Sequence, residues 1–243
     1  DDFWENLSGF SNFDTTLGTT NLRFGDNDSG KFTYISPRFA GFQLGASYIP
    51  QFEPTPGGDN NSSVYKSRRA GVNVIDRTRN GVAVGGNFTE DFNGFGVQAS
   101  LGWLGAETSD DDLSAANAGA QFSFAGFTVG GAYVKAFQGT QSTDATGNAL
   151  GQADGYGWTA GGAYETGPYK IGITYQYGEN DGNKGSSGKP ELEQANISGT
   201  YQFGPGVRLV GGFFAYDQQT QNRSDGRIGF DNKGWGFASG IKL

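Results

Sequence analysis

The 243-residue sequence contains no cysteine, no histidine and no methionine. Without cysteine there is no disulfide framework, no thiolate metal site and no thiol nucleophile. Without histidine the common serine and cysteine triads lose their general base. Positive charge is scarce too: the formal net charge is −8, and nucleic acid, which asks for a basic stripe, is not an expected partner. No run of about 18 apolar residues occurs, so there is no transmembrane helix. That last absence leaves membrane strands untouched, because their faces alternate and average out as polar.

What is plentiful is glycine, at 43 residues, together with Phe and Tyr. Glycine without a G-X-Y period is not collagen, and so many aromatics argue against disorder. The length fits one large domain or two modest ones. Gly94–Leu104 (GFGVQASLGWL) shows the rule: Phe95, Val97, Ala99, Leu101 and Trp103 share one face, and Gly94, Gly96, Gln98, Ser100 and Gly102 the other. The same alternation recurs in Tyr169–Gly178, with Tyr169, Ile171, Ile173, Tyr175 and Tyr177 opposite Lys170, Gly172, Thr174 and Gln176. In Gly155–Glu165 the apolar set is Tyr156, Trp158, Ala160, Gly162 and Tyr164, with aromatics at both ends. Ordinary β-propensity favours Tyr and Trp in any strand, but recurrent aromatics at strand ends match the girdles of a membrane barrel.

Residues 1–30 lack a two-residue period and are expected to form loop, with a helical turn around Phe3–Leu7. The segments Lys31–Ser36, Phe42–Ile49, Gly81–Thr89, Gly94–Leu104, Ala115–Phe124 and Phe127–Ala136 are expected strands. So are Gly155–Glu165, Tyr169–Gly178, Glu193–Phe203, Val207–Asp217 and Lys233–Leu243, which makes about eleven. All but the first are roughly 8–11 residues, enough to cross a bilayer at a tilt. The run VGGFFAY within Val207–Asp217 alternates poorly and leaves its faces unassigned. Short turns (PRFAG, EDFN, Ala125–Gly126, TGP, GPG) alternate with long polar loops. All long loops then fall at one end, as in an outer-membrane barrel. The expected fold is an all-β, transmembrane, antiparallel β-barrel forming a single domain over 1–243. Eleven antiparallel strands cannot close, since the first and last would run parallel, so strands are expected to be missing.

The segment GKFTYISPRFAGFQLGASYIP, the repeated strand–turn–strand grammar and the ending GWGFASGIKL resemble the general porins of Gram-negative bacteria, most of all those of alphaproteobacteria. The likeness spans residues 24–243. It implies a barrel of about sixteen strands, a long third loop folded into the bore, and a homotrimer in the bacterial outer membrane. The partners it implies are outer-membrane lipid, lipopolysaccharide, and the small hydrophilic solutes and ions that diffuse through. Residues 1–30 would be the remainder of the pore-constricting loop, making the chain an N-terminally incomplete piece. Leu243 departs from the terminal aromatic of the family, which puts the C-terminus in question as well.

In such a pore, acidic side chains on the inserted loop face basic ones across the bore. The acidic candidates are Asp1, Asp2, Glu5 and Asp14, and the basic ones Arg68, Arg69, Arg77 and Arg79. Lumen-facing candidates are Gln98, Glu165, Lys170, Asn196 and Lys242. For each, a plain solvated loop or wall charge is the competing reading. If the net acidity carried into the lumen, cations would be preferred. No catalytic set is present, and Gly94-x-Gly96-x-x-Ala99 lies inside a strand, where a dinucleotide fingerprint does not work. No cofactor is expected. Incidental calcium at Asp26, Asp28, Asp110 or Asp112 competes with simple hydration; the loop at 26 has Lys31 and Pro37 where a calcium loop needs Gly and Glu. A substrate-specific channel, an anchor or adhesin acting through its loops, and a soluble sandwich are the alternatives.

Overall fold

The computed structural model describes residues 30–51, 79–107, 112–138, 155–180, 188–219 and 231–242. They form one antiparallel sheet of 11 strands in sequential order. The strands are β1 (Phe32–Ile35), β2 (Phe42–Gln51), β3 (Arg79–Phe92), β4 (Phe95–Glu107), β5 (Leu113–Phe124) and β6 (Phe127–Gln138). They continue with β7 (Gly155–Thr166), β8 (Tyr169–Asn180), β9 (Glu191–Gly204), β10 (Val207–Gln219) and β11 (Asp231–Lys242). Every expected strand is present. The helical turn expected at Phe3–Leu7 lies outside the described residues.

Most strands run past their expected limits at the long-loop end. Strand β8 continues through Glu179 to Asn180, β9 begins at Glu191, and β10 reaches Gln219. The cause is physical: alternation of apolar residues marks the stretch that meets lipid, whereas the backbone ladder needs no apolar side chain and continues beyond it. Glu179↔Glu191 and Gln219↔Asp231 are paired positions of this extension.

The opposite end is held by tight turns. Asn93 and Gly94 have φ of 56° and 86°, the left-handed pair that suits a two-residue hairpin. Ala125 (φ 49°) and Gly126 (φ 84°) make the same turn with a non-glycine residue in the unfavourable region. A side chain at Gly126 would strike the Glu165 carbonyl of the neighbouring hairpin.

The two faces differ in kind. On the convex face Phe32, Leu101, Ile173, Trp235 and Ile241 are 61–80% exposed. The nearly buried apolar side chains among the described residues are only Ile49, Leu104, Ala106 and Ala115. A water-soluble protein does not leave so much apolar surface uncovered. Rings cluster in two belts on this face. Near the short turns Phe42–Phe88, Phe127–Tyr164 and Tyr169–Tyr201 approach to 4.7, 4.3 and 4.9 Å. Towards the long loops Tyr133–Tyr156, Tyr156–Tyr177 and Trp158–Tyr175 stand 6.1, 5.9 and 5.3 Å apart. On β8 the belts lie at Tyr169 and Tyr177, about 27 Å along an extended strand. At a usual tilt that is about 20 Å of height, close to the apolar band of a membrane barrel.

Candidate pore lining

Residues from eight successive strands, β3 to β10, line one shared space: Asn87 and Thr89, Gln98 and Ser100, Gln121, Thr128, Thr159, Lys170 and Thr174, Ser198 and Thr200, Arg208. Only a strongly curved sheet brings these side chains round a common volume. This concave face is polar and small, with Gly119, Gly130, Gly161 and Gly172 among its members. Four polar side chains of this face form one chain. Gln176 Nε2 donates to Gln194 Oε1 (3.1 Å), Gln194 Nε2 to Asn196 Oδ1 (3.0 Å), and Asn196 Nδ2 to Thr174 Oγ1 (3.3 Å). Neutral amides linked in this way hold their positions without creating a charge barrier.

The pairing register resolves β10, whose faces the sequence leaves open. Leu209 lies opposite Tyr201 and Ile241, and Phe213 opposite Ile197 and Phe237, so they are convex. Arg208, Val210, Gly212, Phe214 and Tyr216 are concave. A register shift between Val207 and Arg208 hides the alternation at the strand's start. The adjacent Phe213 and Phe214 hide it in the middle by placing one ring on each face. The Phe214 and Tyr216 rings fill the positions that side chains at Gly236 and Gly234 would take.

Charge on the concave side gathers at the short-turn end. Arg38, in the β1–β2 turn, donates from Nη1 to the Gly41 carbonyl (2.6 Å) and from Nη2 to Asn87 Oδ1 (2.6 Å) and Gln43 Oε1 (3.2 Å). All its partners are neutral. Lys170 Nζ pairs with Glu165 Oε2 at 3.7 Å across the β7–β8 turn. Arg208 is exposed beside the β9–β10 turn, and Lys242 ends β11 directly opposite it in register. Neither arginine stood out in the sequence. The PRFAG turn was visible, but the direction of Arg38 depends on the φ values of Ala40 (44°) and Gly41 (79°).

The long-loop end is acidic and mostly convex. Lys189–Glu179 (2.5 Å), Lys233–Asp217 (2.8 Å) and Arg79–Glu107 (3.2 Å) pair there. Arg79, a constriction candidate, is thus tied to Glu107 at the rim, and Asn80 Nδ2 also donates to Glu107 Oε2 at 2.9 Å.

Of the other candidates, Gln98 and Lys170 line the shared space. Asn196 belongs to the amide chain, and Glu165 faces Lys170. Asp1, Asp2, Glu5, Asp14, Asp26, Asp28, Arg68, Arg69, Arg77 and Asp110 lie outside the described residues. Asp112 is exposed at the start of β5, and no group of three potential metal ligands occurs among the described residues. At the long-loop end one inward patch departs from the polar pattern. Ile49 is 2%, Leu104 6%, Ala106 6% and Ala115 1% exposed. Ile49 and Leu104 line the same recess as Thr33 and Ser47, and Ala115 pairs with Leu104.

Comparison with known proteins agrees with this geometry. A family model described as Gram-negative porin matches residues 1–223. Among solved structures, the anion-selective porin of Comamonas acidovorans superposes with a TM-score of 0.54 at 15% identity, covering 87% of this chain and 58% of that one. The OmpF of Salmonella typhi, solved in complex with daunomycin, gives 0.53 at 15% identity, covering 87% and 61%. The OmpT of Vibrio cholerae gives 0.52 at 14% identity, covering 95% and 70%. Against the first two, the chain therefore spans less than two thirds of the porin it matches. At these identities the likeness is one of fold: a β-barrel wall. No curated protein sequence matches the chain.

Proposed function

The chain belongs to the Gram-negative porin family, and on that premise we propose that it forms the wall of a water-filled channel for passive diffusion of small hydrophilic solutes and ions. Its place is the bacterial outer membrane. The observation that carries the reading is the opposition of the two faces: an uncovered apolar surface with two aromatic belts outside, and a surface of small and polar side chains inside. No turnover chemistry belongs to this function, and no cofactor is required for it.

Residues 1–30 act in this reading as part of a loop that narrows the bore, bringing Asp1, Asp2, Glu5 and Asp14 towards the basic group of the next long loop. Lipid and lipopolysaccharide contact the convex belts, and the assembly is a homotrimer; family likeness supports both.

The test is single-channel recording of the full-length protein in a planar bilayer. Large, stable conductance steps, grouped in threes, are expected. Folded, detergent-extracted protein that conducts nothing would move the function to the external loops.

A further inference from the structure

Resting on the channel reading, we propose that Arg38 and Arg208 make the short-turn mouth of this channel an anion-collecting site, taking small inorganic and organic anions, although the chain as a whole is acidic. Three observations combine. Arg38 is fixed by Gly41, Asn87 and Gln43, all neutral acceptors. Asn87 and Arg208 both line the shared concave space, as does Lys170. Among the described residues no carboxylate lies within ion-pairing distance of either arginine.

Two of the three described carboxylates at this end are otherwise engaged, and the third lies on the other face. Glu165 pairs with Lys170 at 3.7 Å. Asp91 Oδ1 accepts the Gly94 backbone N–H at 2.8 Å and caps the β3–β4 turn. Glu90 shares the convex parity of Phe88. The acidic side chains of the described strands lie mainly at the other end, paired at the rim. A guanidinium held by neutral partners keeps its whole charge available to a passing ion. Its rigid fork also suits carboxylate, phosphate and sulfate.

The experiment compares reversal potentials of the full-length protein and its variants under a potassium chloride gradient. Arg208→Gln is expected to lower the chloride-to-potassium permeability ratio roughly twofold, the effect of one unit charge about 10 Å from the ion path in about 0.1 M salt, attracting one ion and repelling the other. Arg208→Glu should lower it further. Arg38→Gln should act in the same direction, while Arg38→Lys, which keeps the charge, should retain most of the wild-type ratio. Lys233→Gln, at the opposite rim, should leave the ratio unchanged. Wild-type-sized steps with an unaltered ratio in both arginine variants would overturn the proposal while leaving the channel intact. A ratio that moves equally in Lys233→Gln would overturn it too, by tracing the effect to net charge. Absence of steps from the wild-type protein would instead be a failure of the channel reading itself.

Discussion

The two ends of the sheet solve opposite problems. At the short-turn end the chain must reverse within two residues, and it does so with left-handed backbone at Ala40–Gly41, Asn93–Gly94 and Ala125–Gly126. There the concave wall carries Arg38, held by neutral partners, and the exposed Arg208. At the long-loop end the strands outrun the apolar belt, and their outer faces turn to Glu179, Glu193, Asp217 and Lys233. The difference shows that apolar alternation measures the thickness of lipid, not the length of the strand. Where lipid ends, charge returns to the convex face while hydrogen bonding goes on.

The sharpest way to break this comparison is to move charge across it. Leu101→Arg, in the middle of the belt on β4, should cost about 2–4 kcal/mol, whereas the same arginine at the exposed Glu193 should cost little. Urea titration of the protein folded in lipid vesicles reads the difference. Equal losses at both positions would mean that the convex face is not divided by lipid.

The turns come next. Gly126→Val should destabilise by about 2 kcal/mol or more, because it combines a φ of 84° with a clash against the Glu165 carbonyl. At the preceding position Ala125→Gly should stabilise by about 1 kcal/mol, since it relieves a φ of 49°. The same titration measures both, and a stabilising Gly126→Val would contradict the hairpin geometry.

The smallest effect is expected at the acidic rim. The Arg79–Glu107 pair is 65% and 48% exposed, so Glu107→Gln should change stability by under about 1 kcal/mol, and less in high salt. A larger, salt-independent loss would show that this rim is more enclosed than its exposure indicates.

How far the sequence reached follows from the same contrast. Strand number, order and both faces of β4, β7 and β8 were legible, because lipid imposes a period of two on them. Strand ends at the long loops were not, because Glu179, Asn180 and Gln219 carry no apolar signal. The faces of β10 were not, because Phe213 and Phe214 stand side by side and the register shift at Val207 breaks the phase. Of the lining, Gln98 and Lys170 could be read by counting from apolar neighbours. Arg208 could have been found by counting back from Leu209, had that strand's phase been clear. Arg38 could not, since a turn residue's direction comes from backbone angles that composition does not record.

The sequential strand order carries one more consequence. Each inner strand of the described sheet hydrogen-bonds to the strands before and after it in the chain, so the pairing partners are rarely farther apart in sequence than one hairpin and its loop. Such a sheet has no single distant contact that must form first, and the entropy lost at each step is that of closing one loop. Assembly can advance like a zipper, each finished edge serving as the template for the next strand. A weakened hairpin then acts as a stalled tooth: it halts growth at one place while the strands already joined keep their register.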